Sequence, residues 1–224
     1  MAILAEAFWD FPFSLPVSSA FFWIYAALLW RLAEGDPSNK LQKSRILFLP
    51  FVCLLTVLST IFAIFTITSL QGEFYYSRGA KAIYQDRLND AEWDLTRATR
   101  VSPFNYRYHF LRGLLMIRKE DYPKAINSIS RSLSLNPYNI NALNNLGVAY
   151  GSVGNLSKAI QAFETSLRIW PYHIEAHKNL GTIYTRKGEK DRAVDHFQAV
   201  LRLYPKDTKA SEALRVLGTS SRSR

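Results

Sequence analysis

Two of the chain's four histidines, His173 and His177, are spaced i, i+4, which on a helix puts both imidazoles on one face, as a metal pair would require. Their surroundings argue for packing instead. His173 falls in a turn ahead of the helix that carries His177, and His177 fills a large-residue slot that His109 fills in an earlier copy of the same pattern. No metal is therefore expected. The single cysteine, Cys53, lies inside an apolar run; it can close no intrachain disulfide and build no thiolate site. No nucleophile–base constellation, phosphate loop or paired-carboxylate arrangement emerges, so the expectation is a protein that is not an enzyme and needs no cofactor. Asn155-Leu156-Ser157 has the form of a glycosylation sequon on an exposed turn, which matters only in a eukaryotic host with that segment outside the cytoplasm.

What remains is recognition by amides and cations. Asn145 and Asn179 each stand directly before Leu-Gly, with Asn141 and Asn144 close by, and Lys178, Arg186, Arg107 and Arg118 add basic character. Carboxamides can pair with an extended backbone, and guanidinium or ammonium groups with carboxylates. Such groups become a site only on elements that line them up.

Those elements repeat. Prolines 103, 137, 171 and 205, glycines 79, 113, 147 and 181, and alanines 91, 125, 159 and 193 all step by the same 34 residues and keep one register. A helix pair explains the pattern. Gly147 and Ala159 sit where two helices cross, and Leu146, Tyr150, Ile160 and Phe163 supply the apolar knobs around them. Gly154 and Gly188 suit the left-handed end of the first helix, and the prolines follow the second. The first two copies are degraded: Arg78 and Arg112 replace leucine, and Asp86 and Glu120 replace the terminating glycine. Residues 72–207 resemble the tetratricopeptide repeat superfamily, as repeats 72–105, 106–139, 140–173 and 174–207. A last amphipathic segment, 208–218, reads as a capping helix with Ala210, Ala213, Leu214 and Leu217 on one face, and residues 219–224 as a disordered tail.

The resemblance implies an all-α solenoid of four helix pairs whose concave face, lined by the first helix of each pair, binds extended peptides or partner helices. In long arrays of the superfamily, an asparagine at the place of Asn145 and Asn179 hydrogen-bonds the ligand backbone. Repeats one and two have Ser77 and Leu111 there, so the ladder has two rungs. The clamp that grips a C-terminal carboxylate in chaperone-binding members is absent, since its positions hold Tyr76 and Ala80, or Phe110 and Leu114. With a formal net charge of +10, acidic peptide segments are the favoured partners, anionic lipid is a further one, and nucleic acid is not expected.

Charge is unevenly spread. Of the 28 Lys and Arg residues only Arg31, Lys40, Lys43 and Arg45 precede residue 72, and of the 18 Asp and Glu residues only Glu6, Asp10, Glu34 and Asp36 do. The 25 residues Ile46–Leu70 carry no charge, enough to cross a bilayer core that needs about 20 apolar residues. Phe11–Trp30 is also uncharged and predicts a first membrane helix over about 16–32; a cleaved signal peptide would want a positive n-region, and Met1–Asp10 has none. Residues 1–71 thus read as a membrane anchor with helices at about 16–32 and 46–70. The basic loop 31–45 between them belongs in the cytoplasm, which sends the repeats to the extracytoplasmic side, although Arg78 and Lys81 pull the other way.

Phe8–Trp30 has a more specific likeness. Asp10, Phe11, Pro12, Pro16, Phe21, Phe22 and Trp23 resemble a segment near the end of the membrane domain of the O-antigen ligase and polymerase family. Several members of that family continue through one more membrane helix into tetratricopeptide repeats. Its catalytic histidines and arginines lie in an upstream loop to which no position here corresponds, so this resemblance implies a C-terminal piece or a free-standing relative. The leading expectation is an integral protein of a bacterial cytoplasmic membrane whose repeats recruit cell-envelope or glycan-assembly enzymes. The alternatives are a fragment or subunit of a glycan ligase or polymerase, and a cytoplasm-facing scaffold for assembly or import.

Overall fold

The computed structural model describes the backbone of residues 40–219 and the side chains of 53–218. The expected first membrane helix, the Phe8–Trp30 segment and residues 220–224 lie outside the described residues. Nine α-helices and no strand occur among the described residues. They are α1 (Lys40–Tyr84), α2 (Leu88–Val101), α3 (Tyr106–Arg118), α4 (Tyr122–Leu135), α5 (Ile140–Ser152), α6 (Leu156–Ile169), α7 (Ile174–Lys187), α8 (Lys190–Leu203) and α9 (Thr208–Thr219). The chain divides into two units, Met1–Leu70 and Gln71–Arg224.

In the first unit the described side chains belong to α1. Leu54, Leu58, Ile61, Phe62, Ile64 and Phe65 are exposed, a contiguous apolar face that calls for a covering medium or partner. The hydroxyls of Thr56, Ser59, Thr60, Thr66 and Thr68 donate to carbonyls three or four residues back, so they need no water. Among the described residues this is the one helix long and apolar enough to cross a membrane. Its bounds exceed the apolar run. It begins at Lys40, inside the basic stretch read as a loop, and passes through Gly72 to Tyr84. Hydropathy marks the apolar part of a helix and is blind to where its backbone hydrogen bonds stop. Gly72 is kept for closeness: a Cβ there would sit 2.8 Å from Ser102 Oγ and 3.0 Å from Tyr108 Cε2.

In the second unit the last part of α1 packs on α2 through Gly79, Ala82, Ala91 and Leu95; α3 packs with α4, α5 with α6 and α7 with α8, and α9 packs on α8. At each crossing a glycine meets a knob from the second helix of its pair: Gly79 meets Leu95, Gly113 meets Ile129, Gly147 meets Phe163 and Gly181 meets Phe197. Ala91, Ala125, Ala159 and Ala193 are fully buried beside them. Small residues let the axes approach, and large ones fill what the approach leaves. Asn105, Asp121, Asn139 and Asn155 cap the helices that follow them, each accepting a backbone N–H.

The degraded positions keep the geometry at a cost. Asp86 and Glu120 adopt a φ of 60° in the place where Gly154 and Gly188 have 81° and 76°. Arg78, in the leucine slot, forms a two-point ion pair with Asp94, at 2.9 Å from Nε and 2.8 Å from Nη2, and the carboxylate is 2 % exposed. Arg112, in the same slot one repeat on, has its Nε buried with no protein partner.

Candidate peptide-binding face

The first helices of repeats three and four, α5 and α7, enclose a groove of about 140 Å³. Gly147, Val148, Gly151 and Ser152 come from α5, and Asn179, Thr182, Ile183 and Arg186 from α7, over a floor formed by Phe163. The α7 residues follow an i, i+3, i+4, i+7 spacing, one helix face. The two glycines differ. A Cβ on Gly147 would lie 2.6 Å from the Phe163 ring, whereas one on Gly151 would meet nothing closer than 3.9 Å. Gly147 serves the helix crossing; Gly151 leaves the groove open.

The two asparagine rungs are not equivalent. Asn145 Nδ2 donates to the Asn141 carbonyl of its own helix at 2.7 Å. Asn179 Nδ2 donates to Asn144 Oδ1 at 3.0 Å, joining repeat four to repeat three, and Asn179 alone of the two lines the groove. The basic residues are also unlike one another. Lys178 pairs with Glu175 at 2.7 Å and Asp207 at 3.4 Å, and the Glu175 hydrogen bond holds its ammonium above the usual lysine range. Arg107 pairs with Glu73 at 3.5 Å and lies over the Tyr76 ring. Arg118 donates to the Ile83 carbonyl and to Asp86. Arg107 and Arg118 tie repeat two to repeat one, while Lys178 braces repeat four at the Asp207 turn that caps α9. Arg186 is exposed at the groove's edge and, among the described residues, engages no ion pair or hydrogen bond.

The histidines have structural work. His109 Nε2 donates to the Pro103 carbonyl at 2.9 Å, and His177 Nε2 to the Pro171 carbonyl at 3.1 Å, so the shared slot ties each helix start to the preceding proline turn. The remaining nitrogen of His177 faces His196 Nδ1 at 3.0 Å across the helix pair, and His196 stacks on Tyr184. His173 Nδ1 lies 2.7 Å from Ser166 Oγ. His173 and His177 thus find separate partners, and no cluster of three or more metal-ligating side chains occurs among the described residues.

An all-α array of helix pairs in one register, with a groove between first helices, defines a helical-repeat protein of the kind that binds other proteins. Residues 76–140 and 138–206 each match a family model described as tetratricopeptide repeat, and this region of the chain is made of tetratricopeptide repeats. No curated protein matches the sequence. Among solved structures, the crystal structure of MamA is 28% identical, covers 62% of this chain and 81% of its own, and superposes with a TM-score of 0.58. YrrB, described as a TPR protein with an unusual peptide-binding site, is 19% identical over 71% of this chain and 88% of its own, TM-score 0.60. The first TPR of Spaghetti, bound to an HSP90 peptide, is 21% identical over 54% of this chain and 95% of its own, TM-score 0.52.

Proposed function

We propose that this protein is a membrane-anchored scaffold whose groove between α5 and α7 takes an extended, acid-bearing segment of a partner protein. One observation carries the reading: Arg186 is left without an internal partner beside an open groove, while Lys178, Arg107 and Arg118 are all engaged. A free guanidinium receives a carboxylate in two-point fashion, and the amide of Asn179 and the hydroxyls of Thr182 and Ser152 stand ready for a peptide backbone. The repeat fold supports peptide binding in general, and the peptide-binding site of YrrB and the HSP90 peptide on Spaghetti lend it a parallel rather than a ligand. The anchor rests on the exposed apolar stretch of α1, and the extracytoplasmic side on the basic loop before it. The likeness of Phe8–Trp30 to the O-antigen ligase and polymerase family favours cell-envelope glycan-assembly enzymes as the partners.

The test uses the full chain in detergent micelles and fluorescent extended peptides that differ only in glutamate content. Affinity should rise with glutamate number, fall at least tenfold with Arg186→Glu (about 1.4 kcal/mol) and vanish with Gly151→Leu, which fills the groove without touching the Phe163 contact. Binding indifferent to both substitutions would place the peptide elsewhere.

A further inference from the structure

Repeat one has no repeat before it, and its free end is not built to stack. At the third position of the first helix, later repeats hold Tyr108, Ala142 and Ala176, which are 2%, 0% and 0% exposed; repeat one holds Phe74, 57% exposed. Seven positions further along, at the tenth, Leu115, Ala149 and Ile183 are buried, whereas Lys81 is exposed. Positions buried at every later junction are held here by an exposed aromatic ring and an exposed cation.

Around Phe74 these groups form a connected patch. Phe74 meets Tyr75 edge-on, Tyr75 meets Trp93, and Arg78 lies over both Phe74 and Trp93. The Arg97 guanidinium covers Trp93 at 3.9 Å and donates to Tyr75 Oη at 3.2 Å. Trp93 nevertheless remains 48% exposed. On α2, Trp93, Arg97 and Arg100 line an open recess of about 400 Å³ with Asn89, Glu92 and Thr96. The acidic groups nearby are already paired, Glu92 with Lys119, Asp90 with Arg87 and Asp94 with Arg78. Among the described residues, Arg97, Arg100 and Lys81 form no ion pair.

We infer that this end of repeat one docks on the bilayer surface, with Trp93 and Phe74 at headgroup depth and Arg97 and Arg100 on anionic phospholipid headgroups. The inference rests on the membrane-anchor reading. Chain length brings the patch to the membrane whatever the geometry: Phe74 follows Leu70 by four residues, so it can lie no more than about 14 Å from the end of the apolar run. Amphipathic aromatic rings beside arginines are the composition of a membrane interface, where each basic side chain contributes about 1 kcal/mol on an anionic surface. A stacked repeat would call for an uncharged residue in place of Lys81, as Leu115, Ala149 and Ile183 are at the later junctions.

The experiment places the full chain in vesicles with Cys53→Ser and a spin label at Asn89→Cys in the recess, or at Gln161→Cys on repeat three as reference. Collision with a membrane-impermeant nickel chelate is then measured. In phosphatidylcholine vesicles containing phosphatidylglycerol, the label at 89 should be several-fold less accessible than that at 161. The difference should shrink in pure phosphatidylcholine and in Arg97→Gln/Arg100→Gln, a pair of exposed substitutions whose helicity is checked by circular dichroism. Equal accessibility at both sites in anionic vesicles, while the chain resists alkaline carbonate extraction, overturns the docking and spares the anchor. Release of the chain by carbonate removes the anchor reading and this inference with it. Protection found only in native membranes assigns the patch to a protein partner and overturns the lipid assignment.

Discussion

Arg78 and Arg112 occupy one register position, and the sequence offers no means of telling them apart. The structure separates them by what each nitrogen meets. Arg78 neutralises a carboxylate that is 2% exposed, while Arg112 leaves its Nε buried without a partner. Leucine, the residue of repeats three and four, should therefore act in opposite directions at the two sites. Arg112→Leu should stabilise the solenoid by about 1 kcal/mol, by removing an unmet donor and adding an apolar contact. Arg78→Leu should lower the melting midpoint, because it strands the buried Asp94 charge; Arg78→Leu/Asp94→Ala should recover part of the loss. Thermal unfolding of the full chain in detergent, followed by circular dichroism, checks both signs. Asn145 and Asn179 teach the same lesson. Their shared register was legible, but their different partners, one intrahelical and one across repeats, depend on Asn141 and Asn144, which no spacing rule ranks.

Between elements, the helix pairs were legible because the physics of crossing demands small residues at fixed places, and proline and glycine punctuate the turns. The contacts that cross from one helix to its partner were not. Gly147 and Gly151 look alike along α5, yet only Gly147 touches the Phe163 ring. Gly147→Ala should cost about 1–3 kcal/mol despite the better helix propensity, since the Cβ must displace a buried ring. Gly151→Ala should gain up to about 1 kcal/mol, because nothing opposes the propensity. The α7–α8 pair carries a second dependence, on pH. Burial first, and the proximity of His177 second, push His196 down to about 4, with Asp195 opposing. Burial likewise lowers His109 and His173. His196 takes up its proton near pH 6.5 in the unfolded chain and near 4 in the folded one, so stability holds above the upper value and declines as pH falls toward the lower. Because His196 is only about half shielded from solvent, its share is about 1 kcal/mol rather than the full shift. The drop in melting temperature from pH 7.5 to 5 should be smaller in His196→Gln. An equal drop in both proteins would locate the acid sensitivity elsewhere.

For the whole molecule, the proposed anchor makes the side of the membrane on which the repeats stand decide which partners the groove can meet. Opposed signals lie on the chain. On that anchor, Arg31, Lys40, Lys43 and Arg45 before the apolar run favour a cytoplasmic place for that end, while Arg78 and Lys81 follow it closely. The first group outnumbers the second by four to two, and Arg78 is bound to Asp94 within a folded repeat; folded domains translocate largely regardless of their charge. The extracytoplasmic side is therefore expected. With Cys53→Ser and the exposed Gln161→Cys, a membrane-impermeant maleimide added to intact cells should label the chain. The two changes lie away from the groove and from every helix crossing, so labelling reports topology alone. Protection until the cells are lysed would put the repeats in the cytoplasm, withdraw the envelope-assembly setting and turn the same groove toward cytosolic acidic partners.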